Sequence, residues 1–220
     1  MMPIRKSQDD NAVSIPVNKV SLEGDLHIPS VAEGIVVFAH GSGSSRFSAR
    51  NRYVAGELQE SGLATLLFDL LTRKEEEVDQ RTRHLRFDID LLAHRLVAAT
   101  DWLAEQPSTR GLKVGYFGAS TGAAAALIAA AERPTIVKAI VSRGGRPDLA
   151  RNALASVEAP TRLIVGGNDQ QVIDLNRVAL QQLRCPALIQ IVPNATHLFE
   201  EAGKLEQVAR LARDWFLHYL

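Results

Sequence analysis

Cysteine is nearly absent: Cys185 stands alone among 220 residues. A single thiol closes no intramolecular disulfide, which fits a reducing compartment. Net charge is missing too, since 25 Lys and Arg balance 25 Asp and Glu. With no excess of positive charge there is no long-range pull on nucleic acid or an anionic membrane, and neither partner is expected. The longest apolar stretches, such as residues 123–131, are too short to span a bilayer. The opening residues 1–10 carry no apolar segment of the kind a secretory signal needs, so a cytoplasmic location is expected. His, Cys and carboxylates nowhere fall at metal-ligand spacing, so neither a metal nor a cofactor is expected. No Pro-, Gly- or Ser-rich linker interrupts the middle, and no repeat appears. Residues 1–220 therefore read as one domain, with 1–12 as a flexible N-terminus.

What is present is an ordinary globular balance, 46% apolar and 23% charged, enough to build a core without staples. Alternating apolar positions at Val13, Ile15 and Val17, then Val20, Leu22, Leu26 and Ile28, predict two strands of an antiparallel pair. Continuous apolar runs at 34–40, 64–68, 112–117, 136–141, 161–165 and 187–192 predict strands buried on both faces. Helical patterns lie between them, at about 48–61, 88–106, 120–132, 148–156, 172–183 and 203–218. Strands alternating with helices call for a mostly parallel sheet with helices on both faces and an antiparallel edge. The charge-dense stretch 70–86 reads as a solvated loop or short surface helix, with part of a lid as the other reading.

Chemistry concentrates at predicted strand ends. Gly118-Ala119-Ser120-Thr121-Gly122 matches G-x-S-x-G, with a strand before it and a helix after it. Such a turn strains the serine, lifts its Oγ above the sheet and aims a helix N-terminus at the reacting centre. The N–H of Thr121 then becomes one oxyanion donor. The loop His40-Gly41-Ser42-Gly43-Ser44-Ser45 follows the third strand, where a second donor is needed; Ser42 is the candidate and Gly41 the alternative. His40 itself reads as a structural residue under the loop. Asp169 follows one late strand and His197 the next, giving the chain order Ser, Asp, His of the α/β-hydrolase fold. In that arrangement His197 takes the Ser120 proton and Asp169 fixes the imidazole tautomer. Asp174 and Asp148 remain as rival acids. Arg143, also past a strand end, has three readings: a fork for a substrate carboxylate, a tie for its own Gly-rich loop, or a partner for Asp148. Arg46, Arg50 and Arg52 raise the same question. Cys185 reads as a packed side chain rather than a nucleophile.

Taken together, residues 40–46 (HGSGSSR), 118–127 (GASTGAAAAL), 142–150 (SRGGRPDLA) and 194–201 (NATHLFEE) resemble dienelactone hydrolase-related α/β hydrolases. The likeness is to compact bacterial members, found alone or joined to a phosphoribosyltransferase-like domain, and it extends from about Val13 onward. The resemblance implies the α/β-hydrolase fold, Ser120, Asp169 and His197 as triad, and no phosphoribosyltransferase activity in this stretch; the absence of a long insertion between the predicted strands suggests little or no cap. One departure stands out: the classical dienelactone hydrolases use a cysteine nucleophile, and this elbow carries serine. That favours a general serine hydrolase of small carboxylic esters or thioesters, working as monomer or homodimer. The alternatives are lactone hydrolysis or acyl transfer on the same scaffold, or a binding protein that has kept the fold.

Overall fold

The computed structural model describes residues 12–220. The N-terminal stretch expected to be flexible lies outside the described residues, except that Ala12 already opens a strand.

The alternating segment folds as a hairpin: β1 (Ala12–Val17) pairs antiparallel with β2 (Val20–His27), Ile15 opposite Leu22. The apolar runs become β3 (Gly34–Ala39), β4 (Ala64–Phe68), β5 (Lys113–Ala119), β6 (Val137–Arg143), β7 (Thr161–Gly166) and β8 (Ala187–Val192). They form one eight-stranded sheet in the order β1-β2-β4-β3-β5-β6-β7-β8. β2 meets β4 antiparallel, and every neighbouring pair from β4 across to β8 is parallel.

Helices cover both faces, as parallel strands require. In β3 the side chains of Ile35, Val37 and Ala39 enter one core while Val36 and Phe38 enter the other. The first core is closed by α3 (Ile89–Glu105) and α4 (Thr121–Glu132), with α5 (Gln170–Gln182) at its margin. The second is closed by α1 (Ala49–Glu60) and α6 (Lys204–Tyr219). The run Ala123–Ala126 is wholly buried, its small side chains letting α4 lie close against the sheet.

Two segments differ from expectation. Within 70–86 an ordered helix, α2 (Arg73–Thr82), forms although its sequence RKEEEVDQRT offers no apolar stripe. Local bonds hold it: a capping box joins Thr72 and Glu75, and buried Asp79 ion-pairs with Arg86 and accepts the N–H groups of Leu85 and Arg86. The α-helix expected near 148–156 is instead a 3-10 segment, Pro147–Ser156, broken at Arg151, where φ is 50° and ψ is −129°. A left-handed residue there interrupts the i to i+4 ladder. This segment alone joins β6 to β7, so no helical cap is inserted at that position.

Candidate active site

Ser120 sits between β5 and α4 with φ 50° and ψ −120°, a conformation that costs a non-glycine residue about 1–3 kcal/mol. Crowding on either side shows why its neighbours are glycines. A Cβ on Gly118 would lie 2.4 Å from Ala123 Cα, and one on Gly122 would lie 2.2 Å from the Ala39 carbonyl oxygen. Hydrogen bonds fix the strained turn: Ser120 N–H donates to the Arg143 carbonyl at 3.2 Å. Its own carbonyl accepts from Ala123 at 3.1 Å and from Arg146 at 3.0 Å.

The same sheet edge receives the other two candidates. His197 Nδ1 lies 2.7 Å from Asp169 Oδ2. Asp169 stands at the N-cap of α5 without capping it, which leaves the carboxylate free for the histidine. A carboxylate at Nδ1 holds the proton there and presents Nε2 as the basic nitrogen. Gly144 lies under the imidazole, where a Cβ would come within 3.4 Å of Cε1. The β6 end thus touches both the serine backbone and the histidine ring. Ser120 and His197 share no hydrogen bond to one another in this structure. The rival acids are engaged elsewhere: Asp148 pairs with Arg146, and Asp174 with Gln170 and Arg177.

The loop after β3 closes the third side. A Cβ on Gly41 would meet Ser120 Cβ at 3.1 Å, so the backbone approaches the elbow closely. Ser42 N–H points at the start of α4, donating to Thr121 Oγ1 at 2.9 Å. Thr121 N–H, in the first turn of α4, finds no backbone acceptor. The Thr121 hydroxyl thus rests on the Ser42 N–H at the start of α4. His40 sets this loop. Leu70 N–H donates to His40 Nε2 at 3.0 Å, which puts the ring proton on Nδ1, 3.0 Å from the Gly41 carbonyl oxygen. Burial pushes the His40 pKa down from its ordinary value, against smaller opposing effects of the Gly41 bond, Asp69 and Glu76. The ring is neutral at physiological pH.

Three of the four arginines near the site have carboxylates: Arg46 pairs with Asp69 and Glu23, Arg50 with Glu200, and Arg52 with Asp25. Arg143 has none, and Asp148 is taken by Arg146. A cleft of about 1110 Å³ opens beside the loop after β3 rather than over Ser120, lined by His40, Arg46, Phe47, Asp69 and Lys74 among others. Cys185 is half-buried, and burial raises its thiol pKa. Among the described residues no group of three His, Cys, Asp or Glu is placed to hold a metal ion. No helix among them is long and apolar enough to cross a membrane. Of the residues expected from the sequence, Asp169 and His197 meet in a hydrogen bond, Ser42 N–H meets the Thr121 hydroxyl, and Ser120 holds the strained turn beside them. Sequence reasoning did not find the bonding of His40 or the company of Arg50 and Arg143, which come from separate elements and leave no local pattern.

Comparison with known proteins shows the family and the fold. The sequence profile of the dienelactone hydrolase family matches residues 22–217. A crystal structure of a dienelactone hydrolase from Anabaena variabilis is 66% identical, with a TM-score of 0.94 over 95% of this chain and 97% of that one. A Mycobacterium tuberculosis protein provisionally named a phosphoribosyl transferase is 58% identical over 96% of this chain but 47% of its own length. The chain thus spans about half the length of that relative. Est1E from Butyrivibrio proteoclasticus, 16% identical, shares the fold with a TM-score of 0.78 over 95% of this chain and 98% of that one.

Proposed function

The chain belongs to the dienelactone hydrolase family and has its α/β-hydrolase fold, and from that premise we propose that it cleaves small carboxylic esters or thioesters through an acyl-enzyme on Ser120. The observation that carries the reading is the His197–Asp169 bond at 2.7 Å on the sheet edge that also bears the strained Ser120. His197 Nε2 takes the Ser120 proton as Oγ attacks the carbonyl carbon. The tetrahedral oxyanion lies between the N–H groups of Thr121 and Ser42, the latter exchanging the Thr121 hydroxyl for the substrate oxygen. Collapse breaks the bond to the alkoxide or thiolate, which leaves with the proton held on His197. A water molecule then gives its proton to His197, attacks the acyl carbonyl and releases the acid, and Ser120 regains its proton. The route needs neither a metal nor a redox cofactor.

Small acyl groups suit the absence of a helical insertion between β6 and β7. The name phosphoribosyl transferase belongs to a relative about twice as long, and no part of this site calls for that chemistry. Fluorophosphonate labelling of wild type against Ser120→Ala, followed by a panel of p-nitrophenyl esters, tests the proposal. Labelling that disappears in the variant, with turnover of short esters, supports it. A folded wild type that neither labels nor turns over any ester would leave the binding-protein reading in its place.

A further inference from the structure

Position 176 calls for an apolar residue and carries an amide. Val172, Ile173, Asn176 and Ala179 are the buried residues of α5, a stripe at helical spacing, and Asn176 is 0% exposed. Its Oδ1 is enclosed without a partner among the described residues, which weakens the fold rather than strengthening it. Its Nδ2 is engaged twice. It donates to the Val172 carbonyl one turn back at 2.8 Å, and across to the Gly145 carbonyl at 3.0 Å. A side chain kept at that cost is explained by the group it reaches outside its own helix.

That group lies at the centre of the site. The Gly145 carbonyl and the Arg146 N–H are two ends of one planar peptide, and this N–H donates to the Ser120 carbonyl at 3.0 Å. The Arg143 carbonyl accepts the Ser120 N–H at 3.2 Å, so segment 143–146 grips the strained serine backbone at both its ends. Between those ends Gly144, at φ 51°, lies under the His197 ring. Two consecutive glycines make the segment pliant. Larger side chains are barred, since a Cβ on Gly145 would collide with Ser142 Oγ and lie 2.6 Å from Ala123 Cβ. Stiffness has to come from bonds to neighbouring elements. The Gly144 N–H holds the Ile164 carbonyl of β7 at 2.8 Å, and Asn176 holds the next peptide from α5, the helix that Asp169 begins.

We infer that Asn176 is a positioning residue for the Ser120–His197–Asp169 arrangement: its amide holds the Gly145–Arg146 peptide, and through that peptide registers Ser120 and the His197 ring against the Asp169 helix. This rests on the ester-hydrolase reading above and adds to it a side chain that bonds to no member of the triad.

The test compares wild type with Asn176→Leu, of similar size but without the donor, and with Asn176→Ser, whose hydroxyl can bond the Val172 carbonyl but not reach Gly145. Ala179→Gly serves as control, since it weakens the same face of α5 one turn further on. Steady-state kinetics on p-nitrophenyl acetate are read well below each melting temperature. Both Asn176 variants are expected to lose about tenfold to a hundredfold in kcat with KM little changed, and to label with fluorophosphonate more slowly by the same factor. Ala179→Gly is expected to keep the wild-type kcat. Wild-type kcat in Asn176→Leu, a loss carried by KM, or an equal loss in Ala179→Gly would overturn the inference and leave the hydrolase intact. If wild type turns over no ester, the hydrolase reading falls and a second arm decides: nitrogen–proton NMR of isotope-labelled histidine, with the His197 signals assigned by His197→Gln. A proton fixed on His197 Nδ1 in wild type and shared between both ring nitrogens in Asn176→Leu supports the inference. The same pattern in both proteins overturns it. Should Asn176→Leu fail to fold, Asn176→Ser decides on the same measurements.

Discussion

The amide of Ser42 owes its direction to a histidine two residues earlier. His40 Nδ1–H holds the Gly41 carbonyl, and the Ser42 N–H is the other end of that same planar peptide. Leu70 N–H in turn holds Nε2, so the ring bridges the loop after β3 to the loop after β4. Removing an oxyanion donor outright costs about 3–4 kcal/mol of barrier. His40→Ala should therefore lower kcat by about tenfold to a thousandfold, with a smaller change in KM. His40→Asn, whose amide N–H can still reach the Gly41 carbonyl, should recover part of the loss; steady-state kinetics on one short ester reads both. A second consequence concerns pH. Because the folded His40 pKa lies below the ordinary value, the unfolded chain binds the proton more readily. The His40 contribution is complete above about pH 6.5 and is lost as pH falls from there through the folded value. Wild type should thus lose more thermal stability between pH 7.5 and pH 5.5 than His40→Asn does; an equal loss in both would mean that folding does not lower the His40 pKa. For the triad, Asp169→Asn keeps the shape but removes the charge at His197 Nδ1. Ester turnover should drop about ten-thousandfold, as tautomer control is lost.

At the scale of elements, what the sequence disclosed and what it hid have physical causes. β3 through β7 were legible because strands covered on both faces are mostly apolar, and the edge strand β8, only half-buried, because its run ALIQIV is apolar too. The β5–Ser120–α4 turn was legible because only glycine fits where Ala123 and the Ala39 carbonyl press on the backbone. With those strands parallel, the strand order in the sequence already puts Asp169 and His197 on the serine's edge. α2 was hidden because hydrophobic periodicity is blind to a helix held by its ends. Its order comes from the Thr72–Glu75 box and from Asp79, whose carboxylate gathers Arg86 and two backbone N–H groups. Burial pushes the Asp79 pKa up, but the Arg86 and Leu85 bonds outweigh it and hold the carboxyl below its ordinary value. The same arginine reaches the loop after β3, where a Cβ on Gly43 would meet Arg86 Nη1 at 3.0 Å. Asp79→Ala should therefore loosen more than α2. Amide hydrogen exchange is expected to speed up across residues 73–88 and in the 41–45 loop, while α3 and α4 keep their protection. Faster exchange confined to α2 would mean that Arg86 does not couple the two segments.

Among the described residues, the sheet is the one layer that both cores share. The α3/α4 core and the α1/α6 core meet through strands whose side chains alternate between them, so neither can be lost without exposing half of each strand. The site draws on both sides: α4 follows Ser120 directly, whereas α6 follows the His197 loop and packs so closely on the sheet that a Cβ on Gly115 would lie 2.8 Å from the Phe216 ring. Cooperative unfolding is the expected result, although chains above about 150 residues often depart from it. The two tryptophans give one reporter per face, Trp102 on α3 and Trp215 on α6, the latter donating to the Pro160 carbonyl at 3.3 Å. Urea titrations of Trp102→Phe and Trp215→Phe each leave a single emitter. If the faces unfold together, each fluorescence midpoint will coincide with the far-UV circular dichroism midpoint of the same variant. If the Trp215 signal moves first while helical content persists, the α6 face opens independently. Ester turnover should then fail along with that early transition, because the segment bearing His197 would leave with α6 while Ser120 stayed in place.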